Sequence, residues 1–331
     1  MAQSAEKPAH EQRKYLCRNL AGGDRRRDNV PAMAVTEKYL DPFTDFGFKK
    51  LFGSEPNKDL LIDFLNQLLP PQHQIQDLSF ARNEQMGRTA FDRRAIFDLF
   101  CTSPSGEHFI VEMQRERQKY FKDRSVFYAT FPIQEQAQQG DWNYQLTPVY
   151  LVAILDFVFD EDKDDPQVCH RVQLKDQRQR VFYDKLMFIY LEMPKFKKTE
   201  AELETPFDKW LYVLRHLPKL TERPARLQER VFAHLFETAE VGKFNRDELV
   251  QYEESLKVAR DNKNVMETAV EEAEERGEAR GLAKGEEIGL AKGELKKAQA
   301  MARKALLKNL PLSDIADLTG LSEEEISALR P

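Results

Sequence analysis

Asp98, Glu112 and Gln114 sit where a β-hairpin has no structural use for them. The stretch from Arg94 to Gln114, RAIFDLFCTSPSGEHFIVEMQ, has two arms rich in Ile, Phe and Val on either side of Ser-Pro-Ser-Gly, a turn signal. A three-residue loop of Pro104, Ser105 and Gly106, with Gly106 left-handed, pairs Ser103 with Glu107 and, counting outward, sets Asp98 opposite Glu112. Side chains alternate faces along a strand, so Ile96, Asp98 and Phe100 share one face, and Ile110, Glu112 and Gln114 share the face opposite them. Two carboxylates across a strand pair repel, and apolar neighbours raise the cost, so the arrangement calls for a cation or a shared proton. A divalent metal is the simplest compensator. The alternative is a one-residue slip or a solvated face, either of which makes the two acids ordinary surface charges.

Asp, a turn, then Glu-x-Gln closing a second strand is similar to the core of the PD-(D/E)xK nuclease superfamily. In particular the chain resembles the Rpn family of bacterial recombination-promoting nucleases and transposases. Three further stretches carry the resemblance: Asp45 to Phe52 (DFGFKKLF), Arg124 with Tyr128, and Gly140 to Tyr144 (GDWNY) ahead of Pro148 to Val152 (PVYLV). The likeness covers about residues 35–195, and the glycine-rich helical tail is typical of the family as well.

The resemblance implies an α/β (mixed α+β) fold: a restriction-endonuclease-like core with a mixed central sheet flanked by helices, followed by a C-terminal helical region. It implies a Mg2+-type metal-dependent DNA endonuclease that hydrolyses phosphodiester bonds in recombination or transposition. Asp98 and Glu112 would hold the cation with the Met113 backbone carbonyl, and Gln114 would orient the attacking water. Asp45 and Glu84 would be accessory acids at its edge. Gln114 departs from the superfamily pattern, which has Lys there. An amide donates a hydrogen bond but supplies no charge, so more of the work falls on the metal. The other reading is a weak or inactive nuclease fold that binds DNA or a partner as an oligomer.

The 331 residues suffice for one sizeable core and an appended helical region. No apolar run approaches the roughly 20 residues of a membrane span and no signal-peptide pattern opens the chain, so the expected location is the cytoplasm. Cys17, Cys101 and Cys169 are widely spaced and imply neither disulfides nor zinc, and Cys169-His170 lacks metal partners in the sequence. A net charge of −6 argues against non-specific coating of nucleic acid, so DNA contacts must be local.

In chain order, residues 1–34 read as a disordered extension carrying Arg25, Arg26 and Arg27, with Met33 as a second candidate start. Asn57 is placed to cap an amphipathic helix through Leu60, Leu61, Phe64, Leu65 and Leu68, stopped by Pro70 and Pro71. Asp45 and Lys49, four apart, read as a helix-surface ion pair or as groups near the metal. The spacing predicts a first strand over 75–84 and a helix over 115–139, broken or kinked before Pro132. Arg115, Arg117, Lys119, Lys122 and Arg124 form its phosphate-binding stripe, while Tyr120, Phe121, Phe127, Tyr128 and Phe131 read as core. Residues 147–159 make a buried strand, 159–166 a solvated acidic loop, and 170–174 and 185–191 two further strands.

Helices follow over 196–270. Residues 271–300 hold glycines at every fourth position from Gly277 to Gly293, and read as a packing helix or a flexible linker. As a helix interior the five glycines cost on the order of 4 to 5 kcal/mol relative to alanine, an expense that close packing against a second copy would offset. A homo-oligomer is therefore expected. Residues 301–331 resemble a small helix-turn-helix, with Ser313 and Ser322 as N-caps, but Glu323, Glu324 and Glu325 open its second helix and would repel phosphate.

Overall fold

The computed structural model describes residues 37–81, 84–85, 95–137 and 143–330, with Gln72, Glu84, Gln85 and Ala95 described through their backbone alone. The expected N-terminal extension, residues 140–142 of the GDWNY stretch and the Glu84 side chain lie outside what is described.

Helix α1, Asp45–Phe52, starts at Thr44, whose Oγ1 accepts from the Gly47 N–H at 3.1 Å. Only glycine fits at position 47, because a Cβ there would fall 2.1 Å from the Asp41 carbonyl oxygen. Helix α2, Lys58–Leu68, buries Leu60, Leu61, Phe64, Leu65 and Leu68, as its 3.6-residue spacing predicts. Asn57 precedes it without capping it through its side chain. Its Nδ2 donates instead to the Lys50 carbonyl at 2.7 Å, tying α2 to α1.

Strand β1 is Ser79–Phe80, far shorter than the predicted strand over 75–84, and β2, Glu84–Gln85, pairs with β3, Ala95–Ile96, in a separate ribbon. Strands β4, Leu99–Thr102, and β5, His108–Gln114, form the predicted hairpin. Helix α3 spans Phe121–Glu135 and runs through Pro132. The predicted helix over 115–139 thus loses its first six residues, so Arg115, Arg117 and Lys119 precede it. Next come β6, Val149–Leu155, buried at every position, β7, Cys169–Lys175, and β8, Val181–Glu192.

Six of these strands form one mixed sheet in the order β1-β4-β5-β6-β8-β7, with β5, β6 and β8 parallel and the remaining pairs antiparallel. Phe100, Ile110, Leu151, Ala153 and Tyr190 from the sheet pack with Phe121 and Ala129 of α3. Helices α4, Pro206–His216, and α5, Arg230–Ala239, bring Trp210 and Phe232 into a ring cluster with Phe52 of α1 and Phe64 of α2.

Helix α6 then runs without interruption from Arg246 to Leu307, opened by a capping box between Asn245 and Glu248. The glycine segment is helix, not linker. Helices α7, Leu312–Thr319, and α8, Glu323–Ser327, fold back on its end around Ala302, Ile315, Leu321 and Ile326. Ser322 caps α8 in the predicted box, whereas Ser313 lies inside α7. No described helix is long and apolar enough to cross a membrane.

Candidate active site at the end of the β4–β5 hairpin

The hairpin closes as its turn chemistry dictates. The Ser103 N–H donates to the Glu107 carbonyl at 2.9 Å, the Gly106 N–H donates to the Ser103 carbonyl at 2.9 Å, and Gly106 takes φ +86°. The register follows: Leu99 pairs with Val111 and Phe100 with Ile110, which puts Asp98 level with Glu112.

At that level the strand stops being regular. In an unbroken ladder Met113 would face residue 97, but its N–H donates to Asp98 Oδ2 at 2.7 Å, and the Asp98 N–H in turn donates to Glu112 Oε1 at 3.3 Å. The chain bends at Asp98, so Phe97 joins Phe100 in the core at 5.4 Å between rings while Ile96 is 64% exposed. The expectation that Ile96 shares the acidic face is overturned by this bend. The juxtaposition of the acids survives it. In a strand one residue's N–H and C=O point to the same side, so the Met113 carbonyl is on the Asp98 side of β5.

Glu112 is almost fully buried. Its Oε2 accepts from Gln114 Nε2 at 3.2 Å and lies 3.7 Å from Arg124 Nη2. Gln114 Oε1 accepts from Gln118 Nε2 at 3.0 Å, and Gln118 accepts in turn from Arg124, closing a ring of polar side chains. Gln118 was not legible as a site residue, since it lies in the irregular stretch before α3. Arg124 sits over the rings of Phe121 and Tyr128, 5.0 and 5.4 Å from their centroids, and its Nε is buried without a hydrogen-bond partner.

Burial, and then the charge of Asp98, pushes the Glu112 carboxyl up to about 8, and burial raises Asp98 as well. Two oxygen-donor acids whose charged forms are both disfavoured suit a hard divalent cation, which would relieve both at once. Asp45 and Lys49 of α1 form a 2.7 Å ion pair at the surface, and both act electrostatically on Asp98, Asp45 raising its carboxyl and Lys49 lowering it. Both readings of that pair therefore hold together. A cleft of about 1050 Å³ opens beside the acids, bordered by Asp45, Lys49, Met113, Gln114 and Arg115 and walled by Glu248 and Ser255 of α6.

The five expected phosphate-binding residues do not form one free stripe. Arg115 bonds Asp41 at 3.0 Å, Arg117 pairs with Asp160, Lys122 with Glu161, Arg124 with Glu112, and Lys119 lies 5.3 Å from the Tyr120 ring centroid. The acidic loop that reads as merely solvated supplies two of these partners.

A second group was missed. Asp162, His170 and Glu192 bring ligand atoms within 4.8 Å of one another, so His170 does have acidic neighbours. Fully buried Glu192, however, already binds Lys195 Nζ at 2.5 Å and the Phe159 N–H at 2.7 Å. An internal cation balances that site, and it lacks the unrelieved acid pair of the hairpin.

A mixed sheet flanked by helices, with an Asp and a Glu converging where the central hairpin ends, defines a fold of the restriction-endonuclease kind. The family model described as PD-(D/E)XK nuclease family transposase matches residues 42–269, and the chain belongs to that family. The match runs beyond residue 195 to take in α4, α5 and the first part of α6. No curated protein and no solved structure matches the chain.

Proposed function

We propose that the protein is a DNA endonuclease of magnesium type, linked to recombination or transposition as the Rpn likeness implies, with Asp98, Glu112 and Gln114 as its catalytic residues. The observation that carries this reading is the buried Asp98–Glu112 pair beside Gln114, in a chain of a PD-(D/E)XK family. Asp98, Glu112 and the Met113 carbonyl would hold the cation. When bound, the cation supplies Lewis-acid chemistry, drawing charge off the scissile phosphate and acidifying water. Gln114, fixed from both ends by Glu112 and Gln118, orients that water through its amide. Arg124 offsets charge beside Glu112, and Asp45 and Lys49 tune Asp98 from α1, with Glu84 a further acid at the edge.

Arg115, Arg117, Lys119, Lys122 and Arg124 are the DNA contacts of this reading. The exposed pairs of Arg117 and Lys122 are each worth about 0–1 kcal/mol, little enough for phosphate oxygens to displace the acids. The protein works in the cytoplasm as a homo-oligomer. Cleavage of supercoiled plasmid with and without magnesium, in wild type and in Asp98→Asn, is the test.

A second reading is favoured by Gln114 in place of Lys and by the paired state of the basic residues: a DNA- or partner-binding oligomer with little catalysis. Calorimetric titration with magnesium separates the two. A binding module has no need of the ion, whereas the nuclease binds it and loses it in Asp98→Asn.

A further inference from the structure

Residues 273–296 of α6 repeat in steps of four, with Gly277, Gly281, Gly285, Gly289 and Gly293 along one stripe. A Cβ added at any of these glycines meets nothing within 4 Å. The rows beside the stripe are sorted by charge. The position after each glycine holds Glu278, Leu282, Glu286, Leu290 and Glu294, and the position before holds Arg276, Arg280, Lys284, Ile288 and Lys292. At about 100° per residue, these rows lie roughly 90° to either side of the drifting stripe. One edge of the face is acidic and the other is basic.

Such sorting leaves a lone helix poorly compensated. Along the basic edge Arg276, Arg280 and Lys284 stand four apart, a like-charge spacing that destabilises an isolated helix. The acids are on the far side of the stripe and out of reach. Among the described residues the nearest ion pairs on α6 are Lys263–Glu267 and Arg276–Glu272, so none engages the acidic edge. Leu290 is 70% exposed and Ile288 44%.

We propose that this face docks on the same face of a second copy, with the two helices parallel and in register. The inference rests on the homo-oligomer reading above and adds its orientation. In a parallel pair the two-fold axis runs along the helices and turns the acidic edge of each copy toward the basic edge of the other. An antiparallel pair has its axis across the helices and sets acid against acid. Charge complementarity therefore selects the parallel arrangement, which also brings Leu290 beside Ile288 of the second copy. The glycines let the two backbones approach closely enough for both edges to meet.

The test uses the full chain with Cys17→Ser, since Cys101 and Cys169 are buried. This parent is expected to be a dimer by light scattering at low salt, and its Gly277→Cys form is expected to cross-link to itself on oxidation. In an antiparallel pair the two copies of position 277 would be about 24 Å apart, and only a mixture of Gly277→Cys and Gly293→Cys would cross-link. Reversing the acidic edge (Glu278, Glu286 and Glu294→Lys), or the basic edge (Arg280, Lys284 and Lys292→Glu), should each weaken self-association about tenfold or more, and mixing the two should restore it. A monomeric parent overturns both the oligomer reading and the inference. A dimer that cross-links only in the mixture, that fails to cross-link through Gly277→Cys, or that tolerates either reversal overturns the parallel arrangement and spares the oligomer reading.

Discussion

Asp98 and Glu112 set the chemistry by being disfavoured as charges in the place where the fold holds them. Asp98→Asn or Glu112→Gln removes one of two repelling acids, so each should abolish cleavage while leaving metal-free stability unchanged or slightly raised. Cleavage assay and thermal melting check this, and wild-type cleavage in either variant would remove the acid from the site. The pH dependence follows from the raised Glu112. The unfolded chain loses this proton near pH 4.5, while the folded chain keeps it until about 8. Stability without metal is thus full below pH 4.5 and falls as pH rises through that window, because the folded state binds more protons there. Melting temperature without metal should decline from pH 5 to 8, magnesium should restore more of it at pH 8 than at pH 5, and Glu112→Gln should flatten the profile. A metal-free melting temperature that rises over this range would contradict the assignment of Glu112 as a buried, uncompensated acid.

The elements that hold these residues were legible to different degrees. The Ser103–Glu107 turn and the hairpin register follow from Pro104 and Gly106, and α2 follows from its apolar spacing, because both are decided by local chemistry. The bend at Asp98 was not legible. It arises where the Met113 N–H takes a side-chain carboxylate in place of a ladder carbonyl, a choice that depends on the neighbouring strand. The start of α3 was misplaced for a similar reason, since Arg115 and Arg117 are drawn to Asp41 and Asp160 far along the chain. Nor does periodicity reveal that Gln118 completes the ring around Gln114. Gly47 shows how tightly the supporting shell is packed. Gly47→Ala should cost about 3 kcal/mol by overpacking against the Asp41 carbonyl, and it should lower activity by disturbing the Asp41–Arg115 bond next to Gln114. Denaturant melts and plasmid cleavage check it, and an unperturbed melt would mean that the turn relaxes freely.

Across the whole molecule, the negative net charge and the pairing of the basic residues leave DNA affinity to a few displaceable ion pairs. Changing Arg115, Arg117 and Lys122 together to Ala should weaken binding whatever the sequence, and flatten the salt dependence by up to about 0.9 log unit for each phosphate no longer neutralised. An unaltered slope would move the DNA path to another surface. The long helix was readable as helix or linker from composition alone, and its Glu, Lys, Arg and Ala content outweighs the glycines in the fold. The most direct measurement of the central claim is the rate of supercoiled-plasmid cleavage by the full-length protein, with magnesium and with chelator, beside Asp98→Asn. The account requires cleavage that depends on magnesium, vanishes with chelator and falls by about a hundredfold or more in Asp98→Asn. Equal rates in the variant, or cleavage indifferent to chelation, would contradict it.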